Sequence, residues 1–178
     1  MIRPIFLYDD EHLRIASSNV SKGSKINIEA LVLDMFETMH AAKGIGLSAI
    51  QIGVPLRIFV IEVNSKEPKI QFKGVYINPK ITDKSDKEIA MTEGCLSIPG
   101  ISAQKYRSEW IELEWYDEKW QPHKKKISGI EARVIQHEYE HLNGSLFIDD
   151  LGEMWNSLLA EPLNTIKDRK IEVAYLTK

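Results

Sequence analysis

The sequence predicts an α+β fold in which antiparallel sheets pack around a central helix that carries an HExxH motif. Three patterns indicate this class: an amphipathic helix near the N-terminus, short strand-like segments in the middle, and a helical segment at 128–144. A further helix and a closing strand are expected at the C-terminus. The 178 residues, 43% of them hydrophobic, can bury one core, and no linker-like stretch divides them. We therefore expect a single domain over residues 1–178.

The first helix is predicted between Ile26 and Lys43. Apolar residues recur there with a helical period, at positions 28, 31, 32, 35 and 39. Gly44 follows, and glycine is common where helices stop. His40 lies near this end, where we expect it to interact with the helix C-terminus rather than to bind a metal.

Strand segments are predicted at 57–63, 75–81 and 109–116, where apolar residues are dense or alternate with polar ones. The lysine-rich run at 123–126 is expected to be the solvated part of an edge strand. Sheet packing is the expected role of three tryptophans in this region, Trp110, Trp115 and Trp120.

The C-terminal part carries a helical pattern at 154–160. Pro162 should kink or restart this helix, because proline lacks the backbone N–H that a helix interior needs. The apolar and β-branched residues at 171–176 then predict a closing strand.

The stretch QHEYEHLNG at 136–144 contains candidate residues for metal binding and catalysis. Ser128 with Glu131 fits a capping box, and Gly144 lies where the helix should stop, so the stretch should lie on a helix. On a helix, His137 and His141 share one face and can bind a single ion, while Glu138 can reach a water on its open side. The pattern also arises by chance or as a pair of ordinary histidines, so a metal site needs a third ligand.

Cys95, in EGCLSIP, is the best third ligand in the sequence. It is the only cysteine, so it has no partner for an internal disulfide. A thiolate with two imidazoles would leave a fourth position open, as catalytic metal sites require. The alternative is a small buried hydrophobic residue without chemistry. One and two turns before His137, the apolar residues Val134 and Ile130 predict a hydrophobic pocket beside the ion.

Three segments in order, GIGLSAIQ at 44–51, EGCLS at 93–97 and QHEYEHLNG, resemble the three motifs of the peptide deformylase family. The flanking GIEARVI at 129–135 and LFIDDL at 146–151 extend the resemblance. It implies a metal bound by Cys95, His137 and His141, and it implies Glu138 as the catalytic acid and base. It also implies that Gln51 and the backbone N–H of Leu96 stabilise the oxyanion. Substrate contacts are implied at Ile45, Gly46, Met91, Ile130 and Val134.

The implied reaction is hydrolysis of the N-formyl group from the N-terminal formyl-methionine of new polypeptides, with release of formate. The resemblance implies one divalent ion, with Fe²⁺ as the native metal, and the donor set also accepts Zn²⁺, Ni²⁺ or Co²⁺. The expected partners are formyl-Met N-termini of nascent chains, and docking to the ribosome is an open point.

The composition argues against two classes of partner, nucleic acids and membranes. The net charge of −3 and the pI near 6.0 provide no basic field for nucleic acid. No apolar run approaches the ~20 residues that span a bilayer, and the first residues do not resemble a signal peptide. We expect a cytoplasmic protein with neither a membrane nor a nucleic-acid partner.

The sequence departs from the family's motifs at several positions. Ser48 and Ile50 replace the usual Ala and the usual Pro or Thr, Glu140 replaces the usual Asp, and Trp120 stands where many relatives have a turn glycine. On a helix Glu140 points roughly 100° away from His141, so it should lie behind the ligands, paired with Arg107. The alternative is a solvated glutamate on an exposed helix face.

Two other functions are compatible with parts of this pattern. A zinc endopeptidase shares the HExxH motif, but its third ligand generally lies downstream of the histidines, whereas Cys95 lies upstream. The second alternative is a binding module in which a closed metal site only stabilises the fold. The position of Glu138 and the lack of a nearby fourth ligand in the sequence argue against it.

Overall fold

A computed structural model of the protein describes residues 1–65 and 70–178. Within these ranges it contains three α-helices, α1 (Ile28–Ala41), α2 (Gly129–His141) and α3 (Glu153–Lys167), and two short 3-10 helices, Glu11–Arg14 and Ala49–Ile52. The strands are β1 (Gly46–Ser48), β2 (Ile58–Ser65), β3 (Ile70–Lys84), β4 (Glu88–Cys95), β5 (Ile98–Ser108), β6 (Trp110–Tyr116) and β7 (Pro122–Ser128). All pairings between these strands are antiparallel, which confirms the predicted α+β class.

Five strands form one sheet in the order β1-β2-β3-β6-β7, and β4 pairs with β5 as a separate hairpin. Strand β2 is buried on both faces: Ile58 and Val60 join the core with α1, whereas Phe59 and Ile61 join the core with α2. Helix α2 packs on the sheet through apolar residues such as Ile135, and its polar side chains contact the hairpin. The HExxH helix is therefore central, as the sequence predicted.

Strand β7 is the last strand of the sheet, which confirms the edge position expected for the lysine-rich run. Lys124 faces two acidic residues on β6: its Nζ lies 3.0 Å from Glu114 Oε1 and 3.2 Å from Glu112 Oε1. Nearby, Trp115 packs on the core shared with α2, whereas Trp120 adopts a left-handed backbone conformation, φ 59°, in the turn before β7. That conformation explains why glycine is usual at this position.

The β4–β5 hairpin is the largest part of the fold that the sequence analysis did not predict. Inward and outward residues alternate along β5, but two of its buried positions are Lys105 and Arg107. Because these charged residues occupy core-facing positions, the apolar alternation that identifies a strand is broken. The hairpin matters for the site, because Cys95 is its last β4 residue.

The helix ends differ in detail from the sequence predictions. Helix α1 begins after Asn27, whose side chain accepts a bond from the N–H of Ala30 at 3.0 Å. Lys43, and not Gly44, takes the left-handed conformation after its end, with φ 56°. Gly44 instead lies against Leu96, since a Cβ there would be 2.6 Å from Leu96 Cδ1.

Helix α2 begins after Ser128, as predicted, but the capping box is wrong, because the Ser128 side chain makes no capping hydrogen bond. Glu131 instead accepts a bond from the hydroxyl of Tyr76 at 3.5 Å. After the helix, Gly144 has φ 73° and lies so close to the backbone of Arg14 that a side chain would not fit.

Two C-terminal predictions are corrected by the structure. Helix α3 runs through Pro162, so the helix does not restart there, and the alternative of a kink stays a prediction. Residues 171–176 do not form a strand. The last residues pair with the N-terminal segment instead: Ile5 N–H donates to Leu176 O at 2.9 Å, and Lys178 N–H donates to Ile5 O at 3.0 Å. Among the described residues, no helix has the length and apolar character needed to cross a membrane.

Candidate active site

The structure brings Cys95, His137 and His141 together. Their ligand atoms all lie within 4.8 Å of one another, and Cys95 Sγ is 3.2 Å from His141 Nε2. The thiol comes from the end of β4, and both imidazoles project from the last turns of α2. His137 and His141 are buried, with 8% and 1% of their surface exposed.

This donor set fits a divalent ion. A thiol and two imidazoles are the groups that Zn²⁺ and Fe²⁺ accept, and three of them leave a coordination position open. Burial lowers the pKa of His141 well below its ordinary value, which keeps the ring in the neutral form that metals bind. Burial also lowers the pKa of His137, but its bonds to Cys95 and Glu93 outweigh this and raise it to about 10. These partners favour positive charge at His137, and a bound cation would supply that charge in place of the ring proton.

Glu93 contacts the Nδ1 side of the His137 ring. Its Oε2 lies 2.9 Å from His137 Nδ1, which leaves Nε2 as the ring nitrogen available to the ligand cluster. Burial alone would raise the pKa of Glu93, but hydrogen bonds from Arg107 and His137 hold it well below its ordinary value. Sequence reasoning missed this residue. The available signal was its position two residues before Cys95, because residues i and i+2 of a strand share a face.

Arg107 and Glu140, which the sequence analysis paired, lie in contact. Arg107 Nη1 donates to Glu140 Oε1 at 2.7 Å, and Nη2 donates to Oε2 at 3.0 Å, in the forked geometry of a bidentate pair. Arg107 also donates through Nε to Glu93 Oε1 at 2.6 Å. Glu140 is therefore connected to His137 through Arg107 and Glu93.

Glu138 lies beside the candidate ligands and is almost fully buried, with 4% of its surface exposed. Ser48 Oγ donates to its Oε2 at 2.8 Å, and its Oε1 lies against Gly46, where a Cβ would overlap it. Burial raises the pKa of Glu138 above its ordinary value, although the charge of His137 and the bond from Ser48 act in the opposite direction. A buried carboxyl group with a raised pKa is a candidate for taking up a proton and giving it back.

Gln51 points its amide nitrogen at the same centre. Its Nε2 donates to Ser97 Oγ at 3.1 Å and lies 3.5 Å from Cys95 Sγ, while its Oε1 accepts from the N–H of Ser48 at 2.8 Å. Leu96 follows Cys95 in the chain, and its carbonyl accepts a bond from the Tyr175 hydroxyl at 2.7 Å. His40 lies elsewhere: it is exposed near the end of α1, with Nε2 3.0 Å from Glu62 Oε2.

A cavity of about 570 Å³ opens next to these groups. Four of the five residues expected to contact substrate line it: Ile45, Gly46, Ile130 and Val134. Met91 is not among the lining residues. Arg133 lines the cavity instead, and it bonds to Glu93 and to the carbonyl of Ile89, on either side of Met91 along β4. Tyr175, from the C-terminal segment, also contributes to the wall.

Comparison with known proteins agrees with this geometry. A sequence model of the family described as "Polypeptide deformylase" matches residues 2–156. The peptide deformylase of Christiangramia forsetii is 38% identical, over 98% of this chain and 94% of its own length. The peptide deformylase of Karelsulcia muelleri is 44% identical, over 85% of this chain and 79% of its own.

Solved structures give the same result. The crystal structure of peptide deformylase from Ehrlichia chaffeensis matches with a TM-score of 0.86 at 34% identity, covering 96% of this chain and 99% of that one. The crystal structure of a peptide deformylase from Legionella pneumophila matches with a TM-score of 0.84 at 34% identity, covering 96% and 98%. The chain therefore belongs to the peptide deformylase family, whose members are metal-dependent hydrolases that remove the N-formyl group from nascent polypeptides.

Proposed function

We propose that this enzyme hydrolyses N-terminal formyl-methionine with one divalent ion held by Cys95, His137 and His141. The observation that carries the proposal is the convergence of these three donors within 4.8 Å, beside a buried carboxylate and an apolar cavity. When bound, such an ion supplies Lewis-acid activation of a water molecule and of the formyl carbonyl. We propose Fe²⁺ as the native ion, on the family resemblance, with activity that is sensitive to oxygen. Metal analysis of protein purified without air tests this assignment.

Glu138 is the proposed acid and base. It takes a proton from the water that attacks the formyl carbon and delivers a proton to the amine as the C–N bond breaks, so that formate and a free N-terminus result. Its burial and its raised pKa support this role, because the same group must hold the proton and then release it.

Two donors are proposed for the oxyanion that forms on the formyl group, the side-chain amide of Gln51 and the backbone N–H of Leu96. The bond from Ser48 N–H to Gln51 Oε1 supports the first assignment, because it turns the Gln51 NH₂ group toward Cys95. Losing one such donor typically lowers kcat by ~10²–10³-fold.

Substrate selection is assigned to the apolar part of the cavity. Ile130 and Val134 lie on α2 one turn apart, ahead of His137, and both line the cavity. An unbranched methionine side chain suits such a slot, because it adapts its shape at low cost. We propose Ile45 and Gly46 as further contacts with the substrate chain.

The proposed setting is the cytoplasm, where polypeptides carrying a formyl group are made, and the ribosome is the proposed second partner. Residues 1–178 are proposed to act as a single catalytic domain, because the ligands come from both the hairpin and the central helix.

The test is formate release from a formyl-Met tripeptide, with the matching acetyl-Met tripeptide and an unmodified protein as alternative substrates. We expect formate only from the first. Cleavage of the unmodified protein without formate release would identify an endopeptidase instead.

Two variants separate the ligand role from the proton-transfer role. Cys95→Ala should lose metal and activity together, whereas Glu138→Gln should keep the metal and lose activity. Glu131→Gln, in the first turn of the same helix, is the matched control and should keep both. Full metal occupancy in Cys95→Ala would refute the ligand assignment.

A further inference from the structure

Ser48 is a departure from the family's usual alanine, and its hydroxyl contacts the proposed acid and base directly. The residue ends β1 and is fully buried, with 0% of its surface exposed. Its Oγ lies 2.8 Å from Glu138 Oε2 and 2.9 Å from the Glu138 backbone carbonyl. Both acceptors thus belong to the same residue of α2.

The backbone around Ser48 holds this hydroxyl in a fixed place. Strand β1 pairs with β2, with Ser48 opposite Phe59 and Gly46 opposite Ile61. Both partners on β2 have no exposed surface, so the strand has little freedom to move. Gly46 lies against the other carboxylate oxygen of Glu138, Oε1. The two oxygens therefore have different surroundings, a hydroxyl donor at Oε2 and a glycine at Oε1.

We propose that Ser48 is a positioning residue for the reaction: its hydroxyl holds Oε2 of Glu138 and so fixes the orientation of that carboxylate beside the cavity. This inference rests on the proposed role of Glu138. A hydroxyl has one hydrogen to donate, and an ionised carboxylate oxygen is a stronger acceptor than a backbone carbonyl. The hydroxyl therefore favours Oε2 as its acceptor while Glu138 is ionised, and this bond fixes the carboxylate in one orientation. Oε1 lies beside Gly46, which lines the cavity.

Ser48→Ala tests the hydroxyl alone. Alanine is smaller and is the family's usual residue, and it keeps the backbone N–H that holds Gln51. We expect kcat for a formyl-Met tripeptide to fall about 10-fold with KM unchanged, the scale of one lost bond to a charged group. We also expect a larger solvent deuterium isotope effect on kcat, because proton transfer through a less ordered carboxylate becomes more limiting. Metal content should be unchanged, and a crystal structure of the variant should show the Glu138 carboxylate rotated.

Ser17→Ala is the matched control. Ser17 is also buried, but its Oγ has no hydrogen-bond partner among the described residues. Removing its hydroxyl should leave kcat and the isotope effect as in the parent enzyme. A purely structural role of Ser48 would instead lower the melting temperature and leave both kinetic quantities in place, and that result would overturn the proposal.

A comparison with Glu138→Gln separates failure of this inference from failure of the proposed function. If Glu138→Gln abolishes turnover while Ser48→Ala keeps the parent kcat, the positioning role is wrong and the role of Glu138 stands. If Glu138→Gln itself keeps the parent kcat, both are wrong. In the double variant we expect no loss beyond that of Glu138→Gln, because Ser48 acts only through that carboxylate. An additional 10-fold loss there would show that Ser48 acts elsewhere.

Discussion

Nδ1 of His137 lies 2.9 Å from Oε2 of Glu93, and this contact joins a proposed metal ligand to a buried network of charges. Glu93 is 7% exposed and also accepts bonds from Arg107 and, at 2.9 Å, from Arg133 Nη1. One carboxylate thus links β4, β5 and α2. The hairpin that supplies Cys95 and the helix that supplies the histidines are held in register by the same group.

Glu93→Gln should therefore weaken metal binding. An amide is neutral and cannot accept all of these bonds, so the His137 ring loses its fixed orientation, and Arg107 and Arg133 each lose one carboxylate partner. We expect metal affinity to fall by ~10–100-fold and the melting temperature to fall as well. Competition with a chelator and a thermal melt measure the two effects. Glu88→Gln, on the exposed end of β4, is the control, and an affinity of Glu93→Gln equal to that of the control would contradict the prediction.

Substitution of Glu140 tests the same network of charges at a position that does not contact a proposed ligand. Its carboxylate contacts Arg107 and the Nζ of Lys105 but no proposed ligand, and its side chain is 27% exposed. Glu140→Ala should weaken metal binding through the loosened Arg107, within the ~10–100-fold range seen for lost outer partners and by less than Glu93→Gln. Glu140→Asp restores the family's usual residue and should be tolerated. If Glu140→Ala binds metal as the parent does, the ion pair does not support the site.

The sequence predicted the elements in which the residues that are apolar in the sequence are also the ones that are buried in the structure. Helix α2 is the clearest case, because its histidine spacing, its apolar stripe and Gly144 all indicate the same element. The β4–β5 hairpin was missed because Lys105 and Arg107 occupy buried positions, where charge is stabilised by partners distant in sequence. No local pattern reveals such partners.

Tertiary contacts also explain the errors at the chain ends and in the site. Residues 171–176 have strand composition, but they make isolated hydrogen bonds, such as Ile5 N–H to Leu176 O and the Tyr175 hydroxyl to Leu96 O, and no ladder forms. Within the site, motifs identified the groups that converge on the cavity. Glu93 and the Ser48 contact depend on how β4 and β1 face α2, which only the three-dimensional structure describes.

The cavity predicts a preference for the first residue of the substrate. Burying a methionine side chain against Ile130 and Val134 is worth about 1.5–3 kcal/mol relative to glycine, which has no side chain to bury. We expect kcat/KM for a formyl-Met peptide to exceed that for the formyl-Gly peptide by about 10- to 100-fold. Val134→Ala should reduce this ratio, because it removes part of the wall. Equal kcat/KM for the two peptides in the parent enzyme would show that the first side chain binds elsewhere.

Tyr76 predicts a loss of stability at alkaline pH. It lies on β3 with 4% of its surface exposed, its ring stacks on Phe59 at 4.7 Å between centroids, and its hydroxyl donates to Glu131. Burial first, and then the charge of Glu131, raise the pKa of Tyr76 well above its ordinary value of 10.0. The folded protein thus holds this proton more tightly than the unfolded chain, so the stabilisation is complete below about pH 10 and is lost as the pH rises toward the raised value.

Tyr76→Phe keeps the ring and removes the proton, so its free energy of unfolding should fall less steeply than that of the parent between about pH 10 and 12. Denaturant titrations at several pH values measure both slopes, and the deprotonation of lysines cancels in the comparison. Tyr106→Phe is the control, since Tyr106 is 65% exposed and should leave the parent slope unchanged. Equal slopes for Tyr76→Phe and the parent would mean that Tyr76 ionises as easily in the folded protein as in the unfolded chain.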